Sequence, residues 1–127
     1  MSFRSLAHLT TALCAFLAVG LMFAPGVFAA TFGLDPVPEA AVMARRAAVL
    51  FVGLGGLIYS TRALPQGSAR HGVALSIVAM MAGLALLGLA ELALGRVGWG
   101  IFVAVVPETL FALLYLPHLR GADDPVT

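Results

Sequence analysis

The chain has 127 residues, of which 61% are hydrophobic and 10% are charged, and its mean hydropathy is +1.05. Soluble domains carry about 25% charged residues, so this composition excludes an ordinary water-soluble domain. The formal net charge of +1 is too small to neutralise a nucleic-acid backbone, so nucleic-acid binding is excluded as well. The single cysteine, Cys14, excludes a disulfide within the chain and a cysteine-rich metal site.

The first apolar run covers residues 6–24 and predicts a transmembrane helix, because about 20 apolar residues cross the hydrocarbon core of a bilayer. The run stops at Pro25-Gly26, a pair that interrupts helices. The same segment also has the features of a signal peptide, since Arg4 precedes it and Val27-Phe28-Ala29 resembles a small-residue cleavage site. Both interpretations stay open from the sequence, and the transmembrane helix is preferred.

Three further crossings follow the first. They are expected over residues 40–63, 71–94 and 99–116, after a connection at 25–38 whose prolines and phenylalanines suit the headgroup region. Short turns rich in Gly, Pro and Ser separate the later crossings, as between antiparallel helices. The sequence therefore predicts an all-α membrane protein in which residues 1–127 form a single domain, an antiparallel bundle of four transmembrane helices in a lipid bilayer.

The arginines indicate how the bundle is oriented. With both termini in the cytoplasm, that side holds four arginines and the other side holds three, of which Arg45 and Arg46 lie within a span. Cytoplasmic loops carry an excess of basic residues, so we expect both termini in the cytoplasm. The use of arginine without lysine, with much Ala, Gly, Leu and Val, indicates a GC-rich bacterial genome. The predicted location is therefore the bacterial inner (cytoplasmic) membrane.

Small residues recur in the second and third crossings. They are Gly53, Gly55, Gly56 and Ser60 in the second crossing and Gly72, Ser76, Ala79, Gly83 and Gly88 in the third. Apolar helices gain no hydrophobic free energy by associating in lipid, so close approach through small residues supplies the contact instead. We therefore expect the second and third crossings to form the tightest pair.

Glu108 is the residue that most suggests a site. It lies near the middle of the fourth crossing, where an unpaired carboxylate is costly, and Tyr115 lies two turns further along the same helical face. Arg45 enters from the outer side and can reach a deeper carboxylate, so an Arg45–Glu108 ion pair is expected. Arg46 is expected to pair with Glu91 or to extend towards the outer interface.

This Arg/Glu cluster, taken with Tyr115, has two main interpretations. In the preferred one, its ion pairs hold together a bundle with a structural or accessory role. In the alternative, the cluster lines a pocket for a small or lipid-like ligand, with Arg45 as an anion anchor and Glu108 as a hydrogen-bonding or proton-coupled group. Contact with another membrane protein, or with a second copy in a homo-oligomer, is a further use of the same residues.

Motifs for catalysis or metal binding do not occur in the sequence. It has no Gly-rich phosphate loop, nucleophile elbow or metalloprotease helix, so no catalytic residue and no cofactor is predicted. His8, His71 and His118 are expected near one interface, but no two have the spacing of a helical metal site, and no metal is predicted. Trp99 is expected to be an interfacial anchor.

Several short motifs carry a resemblance to a known group. They are Phe-Ala-Pro-Gly at residues 23–26, Thr-Phe-Gly-Leu-Asp at 31–35, Ala-Arg-Arg at 44–46 before the glycines of 53–56, and Pro-Glu at 107–108. With these motifs the chain resembles small bacterial four-helix membrane proteins related in general architecture to the DoxX-like families. The resemblance implies a four-helix bundle. Some DoxX-type proteins are associated with quinone-linked oxidation of sulfur compounds, but no residue here maps to that chemistry.

Overall fold

The computed structural model describes residues 1–120 and is helical in architecture. Its α-helices are α1 (Phe3–Phe23), α2 (Pro25–Thr31), α3 (Pro38–Ser60), α4 (Ser68–Ala93) and α5 (Phe102–Tyr115). Two 3-10 turns, Trp99–Ile101 and Leu116–Leu119, extend α5 at its two ends. The described residues contain four helices that are long and apolar enough to cross a membrane: α1, α3, α4 and the extended helix Trp99–Leu119. The prediction of an all-α protein with four transmembrane helices is confirmed.

The predicted crossings differ from these helices by no more than three residues at either end. The main difference is α2, a short helix in the connection over residues 25–38, where no helix was predicted. Pro25 was interpreted as a helix breaker, but it stands in the first turn of α2, where its missing N–H and fixed φ favour a helix start. α2 ends before Gly33, whose φ of 72° is accessible mainly to glycine.

The bundle consists of two helix pairs, because α1 packs along α3 and α4 packs along α5. A glycine permits close approach in each pair. A Cβ added to Gly55 of α3 would lie 3.1 Å from the Cβ of Cys14 in α1, and one added to Gly88 of α4 would lie 2.8 Å from Cγ2 of Val105 in α5. The small residues therefore allow the van der Waals contact that holds helices together in lipid.

The expectation that the second and third crossings form the tightest pair is wrong, since α3 and α4 make only minor contact. A Cβ added to Gly56, Gly72 or Gly83 would meet no atom within 4 Å. Successive residues of a helix point about 100° apart, so Gly55 faces α1 while Gly56 faces away from the bundle. Small residues permit close packing on any face, and their presence does not identify the face that is used.

α1 is an integral part of the core. Leu6 and Thr10 are fully buried, and the Thr10 hydroxyl lies 2.7 Å from Oη of Tyr115 in α5. Thr10 Oγ1 donates its proton to the carbonyl oxygen of Leu6 at 2.8 Å, so Tyr115 is the donor in the bond between the two hydroxyls. The first crossing, predicted over residues 6–24, corresponds to α1, which is long and apolar enough to cross a membrane.

The end of the bundle that holds both described termini is closed by packed side chains, and we call it the closed end. Its buried residues are Phe3, Leu6, Ala7, Cys14, Ile58, Ala74, Ile77, Met81, Ala112 and Tyr115. His118 Nε2 donates to the carbonyl oxygen of Met1 at 3.1 Å, and Nη2 of Arg70 donates to His118 Nδ1 at 3.2 Å. All four spans therefore meet at this end.

A cross-linking experiment tests the pairing of α1 with α3. The Gly55→Cys variant is expected to form a disulfide with Cys14, because its Cβ would lie 3.1 Å from that of Cys14, and a small outward shift brings the pair into the range of about 3.5–4.5 Å found in disulfides. The measurement is the loss of maleimide-reactive thiol after treatment with a membrane-permeable oxidant, followed by mass spectrometry of the linked peptides.

Gly56→Cys is the matched control for this experiment, since residue 56 faces away from α1 and a Cβ there meets no atom within 4 Å. It should keep two reactive thiols in each monomer. An intramolecular disulfide in Gly56→Cys and none in Gly55→Cys would contradict the observed helix pairing.

Candidate functional site

A cavity of about 620 Å³ separates the two helix pairs beyond the closed end. The second half of α1, the second half of α4 and the first half of α5 form its walls, with α2 across the far end. Its lining is mainly apolar and includes the rings of Phe16, Phe28, Phe32 and Phe51. Sites for small molecules have volumes of about 300–1,000 Å³ and mainly apolar walls with few polar groups, so this cavity has the size and chemistry of a ligand site.

Protein covers the cavity at both ends of the bundle. Towards the termini, Cys14 and Met81 belong both to the cavity lining and to the closed end. At the far end, the N–H of Gly98 donates to the carbonyl oxygen of Phe32 at 2.8 Å, which fastens α2 to the segment that leads into α5.

The cavity opens to the side of the bundle. Phe16 of α1 and Val103 of α5 both line it, and each is 67% exposed. These residues lie on surfaces that a transmembrane bundle presents to lipid chains. A molecule dissolved in the bilayer can therefore enter between the helix pairs without passing through water.

Glu108 lines this cavity from α5 and is half-buried. Counting 1.5 Å per residue along Trp99–Leu119, it lies roughly 14 Å from one end of the span and 16 Å from the other. Within residues 1–120, no arginine or histidine nitrogen lies within 4.0 Å of its carboxylate. Glu108 is therefore a mid-span carboxyl group that faces an apolar cavity and has no cationic partner among the described residues.

Glu91 is the second carboxylate of the lining, contributed by α4. Its Oε1 accepts a hydrogen bond from Nη1 of Arg96 at 3.3 Å. The Arg96 side chain is 65% exposed, and such exposed pairs contribute about 0–1 kcal/mol to stability. Glu91 thus already has a counter-charge, which distinguishes it from Glu108.

Arg45 and Arg46 are exposed, and neither lines the cavity. The face of α3 that meets the rest of the bundle carries Ala48, Gly55 and Ile58, all of which are buried. On α3, Arg45 shares a helical face with Val52, which is 66% exposed. The inward face therefore lies about 100° round the helix from the face of Arg45.

The expected ion pairs are accordingly not formed among residues 1–120. The ion pair found there joins Glu91 to Arg96, and neither Arg45 with Glu108 nor Arg46 with Glu91 lies within 4.0 Å. Two adjacent stripes of α3 both contain small residues, and the helical periodicity of the sequence does not show which of them faces inward. Arg46 is exposed on α3, and its extension towards the outer interface stays a prediction.

Tyr115 does not lie beside the cavity, although it shares a helical face with Glu108. It is fully buried in the closed end, where its ring packs edge-on against that of Phe3 at a centroid distance of 6.2 Å. The same face of α5 therefore borders the cavity at Glu108 and meets α1 two turns later. Tyr115 connects helices in this structure and makes no contribution to the candidate site.

The histidines have partners in the protein. The ring of His8 packs edge-on against Tyr59 at a centroid distance of 5.8 Å, and His71 Nδ1 donates to the carbonyl oxygen of Leu119 at 3.1 Å. The described part of the chain contains no group of three His, Cys, Asp or Glu residues that could hold a metal ion. Trp99 is exposed and stacks on Phe102 with ring centroids 5.9 Å apart.

Phe28 and Phe32 are cavity residues that the sequence reasoning missed. Residues 25–38 were expected along the headgroup region, and no part in a site was predicted for them; α2 places Phe28 against Gly20 of α1 and beside the cavity. Two signals were present in the sequence: a proline suited to the first turn of a helix, and the largely apolar residues that follow it.

Comparison of the chain with protein-family models, with curated proteins and with solved structures gives no match. The resemblance to DoxX-like proteins accordingly stays a prediction.

Proposed function

We propose that this protein is a membrane-embedded binding or carrier protein for a small, lipid-like molecule that occupies the cavity and contacts Glu108. The observation that carries the proposal is the cavity of about 620 Å³ with an unpaired carboxyl group at mid-span. The size of this space and its mainly apolar walls match those of sites that bind small molecules.

The contacts of the charged residues favour this function over the structural or accessory role. That role depended on ion pairs of Arg45 and Arg46 with the two glutamates, and those pairs are not formed among the described residues. An ionisable group within a membrane span is a functional-site hypothesis by default. Glu108 meets that description, and it faces a space that a ligand can fill.

We also propose that the protein lies in a bacterial inner membrane with both termini in the cytoplasm. Four arginines belong to the end that holds the termini: Arg4, Arg62, Arg70 and Arg120. Basic residues flanking the spans are enriched on the cytoplasmic side. A ligand would then meet the cavity in the half of the bilayer away from the cytoplasm.

Photolabelling tests the proposed function. A neutral twelve-carbon alcohol bearing a diazirine is added to the protein in phosphatidylcholine nanodiscs, irradiated, and located by mass spectrometry. We expect label on the segments that line the cavity and loss of that label in Ala104→Phe, because Ala104 lines the cavity and a phenyl ring would fill part of it.

Val106→Phe is the matched control, since Val106 is exposed on the same helix and does not line the cavity. It should label as the wild type does. Label spread evenly over the lipid-facing surfaces, with no difference between the two variants, would overturn the proposed function.

A further inference from the structure

Building on the proposed function, we infer that the ligand is a lipophilic cation, an apolar amine or quaternary ammonium ion whose charged group binds at the Glu108 carboxylate. The observation behind the inference is the charge of the cavity lining. The side chains there that carry a formal charge are Glu91 and Glu108, and the lining contains no arginine or histidine.

The surroundings of the two glutamates identify Glu108 as the site for the cation. Glu91 is paired with Arg96, whereas Glu108 has no cationic partner among the described residues. Gly88 of α4 lies against Val105 of α5, so the two glutamates lie on opposite sides of this crossing point in the antiparallel pair. Each glutamate lies three residues from the crossing point on its own helix, in opposite directions along the bundle. At 1.5 Å per residue, the two glutamates are therefore roughly 9 Å apart along the bundle. They are therefore separate sites.

In a low-dielectric cavity, the Glu108 carboxylate interacts differently with cationic, neutral and anionic ligands. A carboxylate that leaves water without a partner loses its hydration, and a ligand cation offsets that loss. A neutral ligand can supply only a hydrogen bond, and an anion is repelled by the unpaired Glu108 carboxylate. The earlier expectation of an anionic ligand required Arg45 as its anchor, and Arg45 lies outside the cavity.

The rest of the lining suits the apolar body of such a cation. Phe16, Phe28, Phe32 and Phe51 surround the space, and aromatic faces attract cations within about 6 Å of the ring centroid. These rings are also large apolar surfaces that can hold an alkyl or aryl group. The cavity therefore combines one unpaired negative charge with walls that favour an amphipathic cation over a hydrophilic one.

A competition experiment with matched probes tests this inference. Dodecyltrimethylammonium, dodecanol and dodecyl sulfate share one alkyl chain and carry positive, neutral and negative heads. Each is added as a competitor of the photoreactive alcohol in zwitterionic nanodiscs, with the two ionic surfactants kept below their micellar concentrations. We expect the cation to compete about tenfold more strongly than the alcohol, because its fixed charge is attracted by the Glu108 carboxylate whereas the alcohol carries no charge.

Glu108→Gln keeps the shape of the side chain and removes its charge, so it should abolish the preference for the cation and retain competition by dodecanol. Glu91→Gln is the matched control, and it should keep most of the preference because Arg96 already neutralises Glu91. Equal competition by all three probes, or an unchanged cation preference in Glu108→Gln, would overturn the inference and leave the proposed function standing. Failure of every probe to compete would overturn the proposed function itself.

Discussion

Gly100→Ala is expected to destabilise the protein by about 1–3 kcal/mol, the usual range for inserting a methyl group where no space exists. A Cβ on Gly100 would overlap the carbonyl oxygen of Thr31, a backbone atom at the end of α2. Backbone cannot move aside as the tip of a flexible side chain can, so α2 must separate from the start of the fourth span. The measurement is thermal unfolding in a mild detergent, monitored through the fluorescence of Trp99.

Gly98→Ala provides the matched control for this prediction. Gly98 lies two residues away on the same segment, but a Cβ there would make only ordinary contacts, the nearest at 3.7 Å, and its φ of −88° suits alanine. The N–H that donates to Phe32 is retained. Equal melting temperatures for Gly100→Ala and the wild type would show that α2 does not pack against this segment.

Thr10→Val is expected to cost about 1–3 kcal/mol, because it leaves the buried hydroxyl of Tyr115 without the acceptor that it uses now. Tyr115→Phe should cost less, about 0.5–1.5 kcal/mol, since Thr10 still donates to the carbonyl oxygen of Leu6. The double variant should be less destabilised than the sum of the two single variants. Coupling energies between helices in membranes are about 0.6 kcal/mol on average and reach about 1.7, and the fully buried bond here belongs near the upper value.

Thr109→Val is the control for this cycle, because the Thr109 hydroxyl is bonded within its own helix, to the carbonyl oxygen of Val105 at 2.8 Å. It should change stability little and show no coupling with Tyr115→Phe. The measurement is the free energy of unfolding of the wild type, the two single variants and the double variant, which together form a double-mutant cycle. Strict additivity of Thr10→Val and Tyr115→Phe would mean that the closed end does not depend on this bond.

The fold was predictable because a bilayer places strong requirements on sequence. Each span needs a long apolar run, and every backbone polar group within it must be satisfied by helical hydrogen bonds. The four runs in this sequence meet that requirement, and their bounds agree with the structure to within three residues. The extra helix α2 was missed because it is too short to span a membrane and begins at a proline, a residue that also ends helices.

Part of the candidate site was predictable in the same way. Glu108 stands out because a carboxyl group within a span is rare, and the structure places it at the cavity wall. Its expected partner Arg45 was chosen by helical periodicity and reach, and the structure turns that side chain outward. An inward-facing and an outward-facing Arg45 differ by a rotation of α3 of about 100°, the angle between successive residues. A helix with small residues on several faces does not show from its own sequence which face turns inward.

The number of spans, their bounds and the unusual position of Glu108 follow from the chain alone, since they depend on the hydropathy of each segment and on the cost of a charge in hydrocarbon. The pairing of α1 with α3 and of α4 with α5, the cavity between these pairs and the outward direction of Arg45 were decided by tertiary packing. In lipid no difference in hydrophobicity directs one apolar face towards another, so close fit between side chains selects the partner. That fit depends on residues far apart in the chain, such as Gly55 with Cys14 and Thr10 with Tyr115.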